Sequence, residues 1–83
     1  MKAKVTVMPK QSVLDPQGVA VRGALEHLGL SALGTVRVGK LIEIQFDDPG
    51  PGSIEAIEQR LHAACHELLS NPVIEDYRLE IER

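Results

Sequence analysis

His62 and His66 stand four residues apart with Cys65 between them, and imidazole and thiolate are ligands that zinc prefers. On a helix this spacing puts both rings on one face. A structural zinc takes four protein ligands, however, and the chain holds one cysteine and no second His or Asp cluster to close the shell. The same shortage removes a Cys–His nucleophile, because no third group is placed to orient the pair. Gly29 and Gly34 have the glycine spacing of a phosphate loop, but Thr35-Val36 follows where Lys and Ser/Thr are needed. A helix end and a loop account for both glycines. Asp47 and Asp48 are adjacent carboxylates inside Asp47-Asp48-Pro49-Gly50-Pro51-Gly52, a composition that makes a solvated turn a better reading than an acid–base pair. The residues therefore assign no catalytic, cofactor-binding or metal-binding position.

Two short stretches break local rules instead. In Asp15-Pro16-Gln17-Gly18 the glycine falls at the third position of an expected helix, where it costs about 1 kcal/mol against alanine. It would permit the close approach of another backbone. In Arg37-Val38-Gly39-Lys40 the lysine occupies an apolar phase, which is costly unless it snorkels or meets an acidic partner. Such breaks tend to be functional or interfacial. Bulge geometry and a contact surface both remain open as explanations. The interface candidates are Asp15, Gln17, Gly18, Arg37, Gly39 and Lys40.

The elements that must position these residues follow from periodicity. Ala3, Val5 and Val7 alternate with Lys2, Lys4 and Thr6, so a half-buried strand runs to Met8 and Pro9 ends it. Asp15 is a good N-cap, Pro16 suits the first helical position, and Val21, Ala24, Leu25 and Leu28 recur at helical spacing before Gly29. This predicts a helix over Pro16 to Leu28. Val36, Val38, Ile42, Ile44 and Phe46 share one phase over residues 36–47. Gly39-Lys40 could be a two-residue hairpin turn, but that would put Val36 and Val38 on the face opposite Ile42. One long strand, kinked at Gly39-Lys40, keeps all five together and is the favoured reading. At ~3.3 Å per residue it would span roughly 40 Å and overhang a one-copy core, which calls for a second copy. Ser53 caps a second helix whose stripe is Ile54, Ile57, Leu61, Ala64, Cys65 and Leu68, and Asn71-Pro72 stops it. A last strand from Val73 points Tyr77, Leu79 and Ile81 inward. The predicted fold is α+β, order β-α-β-α-β: a two-layer sandwich of a small, mainly antiparallel sheet with two helices on one face, oligomeric.

Composition narrows the function classes. Eighty-three residues allow one domain, 1–83, and little room for a pocket enclosed by one copy. Nine Lys+Arg against twelve Asp+Glu give a net charge of −3, which argues against a phosphate-backbone binder. Phe46 and Tyr77 are the only aromatics and both lie in the apolar phase, so no base-stacking platform is expected and nucleic acid is not an expected partner. No apolar run approaches the roughly 20 residues of a membrane span, and Met1-Lys2-Ala3-Lys4 lacks a signal-peptide h-region. The expected location is the cytoplasm, with no membrane partner.

The pattern as a whole resembles a known family. Val5-Thr6-Val7-Met8-Pro9-Lys10, then Val13-Leu14-Asp15-Pro16-Gln17-Gly18, a helix ending in Leu28-Gly29, Val36-Arg37-Val38-Gly39-Lys40, and the closing Asn71-Pro72-Val73-Ile74-Glu75-Asp76-Tyr77 are similar to the PurS family. The resemblance covers the whole chain, and its specificity lies in the joint Leu-Asp-Pro-Gln-Gly and Arg-Val-Gly-Lys boxes. It implies the small subunit of phosphoribosylformylglycinamidine (FGAM) synthase in de novo purine biosynthesis. That complex converts formylglycinamide ribonucleotide, glutamine and ATP into FGAM, glutamate, ADP and phosphate. The resemblance further implies a homodimer or higher oligomer without catalytic residues or a bound cofactor. It would join the PurL synthetase, which uses ATP and Mg, to the PurQ glutaminase and help to contain the ammonia passing between them. An ACT-like module sensing an amino acid at a dimer interface is the alternative.

Overall fold

The computed structural model describes residues 1–82. Strand β1 (Lys2–Pro9) is followed by helix α1 (Pro16–His27), strand β2 (Lys40–Gln45), helix α2 (Ile54–Ala64) with a π-helical turn (Cys65–Leu69), and strand β3 (Glu75–Glu82). The sheet has the order β2-β1-β3, antiparallel throughout. No helix of the described residues is long and apolar enough to cross a membrane.

The central place of β1 follows from its alternation. Ala3, Val5 and Val7 are fully buried, and each lies between two partners on the same face. Ala3 sits between Ile44 and Ile81, Val5 between Ile42 and Leu79, and Val7 between Lys40 and Tyr77. Cys65 closes this core, with Leu69 packed beside it. On the opposite face the lysines of β1 meet acids of both neighbours: Lys2 Nζ lies 3.8 Å from Glu43 and Lys4 Nζ 3.1 Å from Glu82. The Glu82 hydrogen bond and charge hold the Lys4 ammonium above its usual pKa.

Local chemistry sets the helix ends. Asp15 has extended dihedrals and its Oδ1 accepts from the Gln17 N–H at 3.1 Å, while Pro16 opens α1. At the other end Gly29 takes φ 97°, Gly29 N–H reaches Glu26 O and Leu30 N–H reaches Leu25 O. This is the paired closure that a left-handed residue after a helix makes possible. Ser53 departs from expectation. It stands at the start of α2 but its side chain makes no capping bond, because its own backbone is already near-helical at φ −96°, ψ −10°. The π-turn is a second departure. Ser70 N–H and Oγ both reach back five residues to Cys65 O, so the last turn is wider than an α-turn. The extra residue rotates Leu69 inward and leaves Leu68, placed in the stripe by its spacing, 79% exposed.

Two larger differences concern the second layer and the long strand. Pairing in β2 begins at Lys40, so residues 36–39 lie beyond the ladder, and β2 pairs with β1 alone, so that no hairpin partner precedes Gly39-Lys40 among the described residues. β1 itself runs two residues further, to Pro9, and over Met8 and Pro9 it pairs with β3 alone. The polar groups of residues 37 and 38 find other partners, described below. At the far end Phe46 exchanges two bonds with Met1, at 2.8 and 3.0 Å. The helices also differ in placement. α2 and its π-turn pack on β3, whereas α1 packs on no strand or helix to a comparable extent. Gly18 is its one buried residue. The chain is accordingly long, 52 × 25 × 15 Å, with a radius of gyration of 16.6 Å against about 12 Å for a compact domain of this length.

Candidate functional site

Sequence reasoning singled out two boxes 22 residues apart along the chain, and the fold brings them together at the end of the sheet. Asp15 is the hinge pin. Its Oδ1 caps α1, and its Oδ2 accepts from the Val38 N–H at 2.7 Å. One carboxylate thus answers a donor at the helix start and a donor of the segment leading into β2. The Val38 N–H, with help from the N–H groups of Gly18 and Gln17 and the charge of Arg37, holds the Asp15 carboxyl below its ordinary pKa.

Gly18 completes the contact from the helix side. A Cβ there would overlap the Val36 carbonyl oxygen and stand 2.8 Å from Asp15 Oδ2. The missing side chain is therefore what lets the first turn of α1 lie on the backbone of Val36. Gly39 does the same for β1, since a Cβ there would overlap Val7 O and Met8 Sδ. Arg37 Nη1 donates to Pro9 O at 3.0 Å and ties the same segment to the end of β1. Asp15, Gly18, Arg37 and Gly39 form one joint between α1, β1 and β2. Gln17 contributes its backbone N–H, and its side chain is exposed. Lys40 lies at the end of the ladder, on the apolar face opposite Val7, and is exposed. An open groove beside the joint runs between Val13, Val19 and Val36.

The residues with reactive side chains do not converge. Cys65 is 0% exposed, and burial pushes its thiol pKa up, away from the reactive thiolate. His62 Nδ1 lies 3.1 Å from the Tyr77 hydroxyl, with the rings tilted 5.9 Å apart, and its Nε2 stands 3.9 Å from Glu58. His62 is thus engaged with β3 and its own helix while Cys65 points into the core. Asp48 Oδ1 accepts from Gly50 N–H at 2.9 Å, a solvated turn of the kind its neighbours imply. What sequence reasoning missed is the second bond of Asp15. A good N-cap exhausts the apparent reason for an aspartate, and nothing local announces a partner 23 residues away.

With this geometry in place, comparison with known proteins is informative. Residues 2–83 match the family model described as PurS: Phosphoribosylformylglycinamidine (FGAM) synthase. The phosphoribosylformylglycinamidine synthase subunit PurS of Bacillus subtilis is 42% identical over 81 residues, which is 98% of this chain and 92% of the relative. A solved structure of B. subtilis PurS superposes with a TM-score of 0.80 at 40% identity, covering 99% of this chain and 98% of that one. A chain in the structure of PurLQS from Thermotoga maritima gives a TM-score of 0.73 at 32% identity, covering 95% of this chain and 93% of that one.

Proposed function

The chain belongs to the PurS family of FGAM synthase subunits in purine biosynthesis, and from that premise we propose that it is the non-catalytic member that joins a PurL synthetase to a PurQ glutaminase. The observation that carries this reading is the match across residues 2–83 combined with the likeness to a chain of PurLQS. The structure adds support from the other side. Its reactive side chains are spent on packing and turns, and its most constrained residues build a joint that sets the direction of one helix.

In this role the chain binds no cofactor of its own. ATP and Mg belong to the synthetase, and the assembly works in the cytoplasm. The chain also associates with itself. Its accessible surface is 6100 Å², whereas a folded monomer of 9.1 kDa exposes about 4,900 Å². The excess is about 1,200 Å² per copy, above the ~800 Å² per partner that a stable interface buries.

The test is FGAM synthesis by the PurL and PurQ proteins of the same organism with and without this chain. Glutamine-dependent activity should require it, and activity with free ammonium should require it less. If its addition changes neither activity and it never comigrates with the other two proteins, the reading is wrong.

A further inference from the structure

We propose that the turn carrying the chain from α2 into β3 is a docking knob for a different protein of the assembly, one that offers an apolar pocket rimmed by lysine or arginine; this rests on the subunit role proposed above. Among the described residues most exposed large apolar side chains lie on α1 and its flanks, but Leu68, Val73 and Ile74 gather on this one connection. Leu68 faces water because of the π-helical turn, a geometry that recurs at functional sites. Val73 is 77% exposed and Ile74 42% exposed. Asn71 and Pro72 are the residues a turn usually begins with, but a turn made only to be solvated continues with Gly, Asn, Asp or Ser. Two β-branched residues at its tip call for another reason.

The turn is pinned at both ends. Ile74 N–H and Glu75 N–H both reach Asn71 O, at 3.0 and 2.7 Å, and Val73 N–H reaches Asn71 Oδ1 at 3.1 Å. Asn71 N–H in turn donates to Glu75 Oε1 at 2.7 Å. Lys10 N–H donates to Ile74 O at 2.8 Å and ties the turn to the end of β1, while Ser70 Oγ anchors the other side on Cys65 O. The backbone polar groups are thus answered inside the chain, and the apolar side chains stand outside it. Little ordering remains to be done when a partner arrives.

Charge and area decide the occupant. Glu67 precedes Leu68 and is exposed, and Glu75 and Asp76 follow Ile74. Lys10 Nζ answers Asp76 at 2.6 Å, so the surround is acidic on balance. A second copy turned onto the same patch would set these carboxylates against their own equivalents, because a two-fold contact pairs a surface with itself. A different protein with a basic rim meets them favourably. The excess surface of about 1,200 Å² per copy also exceeds the ~800 Å² that one self-association interface takes up. The remainder, about 400 Å², is the size of a single functional patch of about 300–600 Å².

The experiment mixes the PurL and PurQ proteins of the same organism with the full chain as wild type, Val73→Asp, Leu68→Ser or Glu67→Lys, and follows complex formation by sedimentation. All three positions are exposed, so each variant should keep the wild-type circular dichroism spectrum and self-association. Val73→Asp should raise the dissociation constant of the mixed complex at least about tenfold. Leu68→Ser and Glu67→Lys should each raise it several-fold, and added salt should weaken the wild-type complex. If Val73→Asp and Leu68→Ser bind as tightly as the wild type, the knob is not the docking surface. If either one loses self-association instead, the patch joins copies of this chain and the proposal fails. A Glu67→Lys variant that binds more tightly overturns the basic rim. A wild-type chain that never comigrates with either protein overturns the subunit role itself.

Discussion

Gly18→Ala and Gly23→Ala make the same chemical change in the same helix and should act in opposite directions. Alanine is better than glycine inside a helix by about 1 kcal/mol, and at Gly23 nothing lies within 4 Å of the added methyl. Gly23→Ala should therefore stabilise the protein by close to that amount. At Gly18 the methyl enters space held by Val36 O, with Val36 C at 2.9 Å and Asp15 Oδ2 at 2.8 Å. Backbone atoms on one side and a pinned carboxylate on the other cannot swing aside as a flexible side chain does. Forcing a methyl into such a filled site costs about 1–3 kcal/mol, and the helix gain offsets about 1 of it, so a net loss of about 1 kcal/mol is expected. For a domain of this size each kcal/mol moves the melting midpoint by roughly 4–8 °C. Gly18→Ala should melt several degrees below the wild type and Gly23→Ala several degrees above it. All three proteins are compared at one concentration, because association shifts the midpoint by mass action. If Gly18→Ala is as stabilising as Gly23→Ala, the approach of Val36 does not hold α1 and the account of the joint fails.

Three further outcomes follow from the same structure. The Asp15 carboxyl is held below its ordinary pKa in the folded chain, so its contribution is present above the unfolded value of about 3.9 and is lost as pH falls through the folded value. The midpoint gap between wild type and Asp15→Asn should accordingly be widest near pH 7 and narrow toward pH 3; a gap that stays constant would show that the charge is not its source. Cys65, fully buried with its thiol pKa raised, should resist a thiol reagent at pH 8 in the folded protein and react promptly in guanidinium chloride. Fast labelling of the native chain would mean that the core under β1 opens readily. Lys40→Glu should leave the fold intact, since Lys40 is exposed, and weaken self-association across the neighbouring β2 face; unchanged sedimentation would place the interface elsewhere.

How much of this was legible in the sequence depends on the distance over which each feature is decided. The face of every strand residue was readable, because alternation is local: Ala3, Val5 and Val7 are the core, and Tyr77, Leu79 and Ile81 point toward it. So were the start of α1 at Asp15-Pro16 and its end at Gly29. The start of pairing in β2 was not. Alternation tells which way Val36 and Val38 face, but not whether they have a neighbour: β1 runs on to Pro9 while its pairing with β2 stops at Val7. The shift from Leu68 to Leu69 was hidden because a π-turn changes the period from which the stripe was read. The anomaly at Gly18 was visible as a broken rule. Its partner, the carbonyl of Val36, was not, because only the fold brings the two boxes together.

The devices on α1 carry a further consequence. A twelve-residue helix in water is marginal, since nucleation is costly and most helical stability in proteins comes from a packed face. Among the described residues α1 has little of such a face, with Gly18 buried and Leu25 half-buried. It carries instead an aspartate N-cap, proline at the first position, a left-handed glycine closure, and Arg22 Nε 3.2 Å from Glu26 one turn on. Each of these acts locally and none needs a partner. They are concentrated on the helix that tertiary burial serves least, while α2, which packs on β3, begins without a side-chain cap. A helix that must hold its shape before it meets its surface needs this kind of support. With the joint at Asp15 and Gly18 fixing its direction, α1 is presented as a preformed element, which lowers the ordering cost of association.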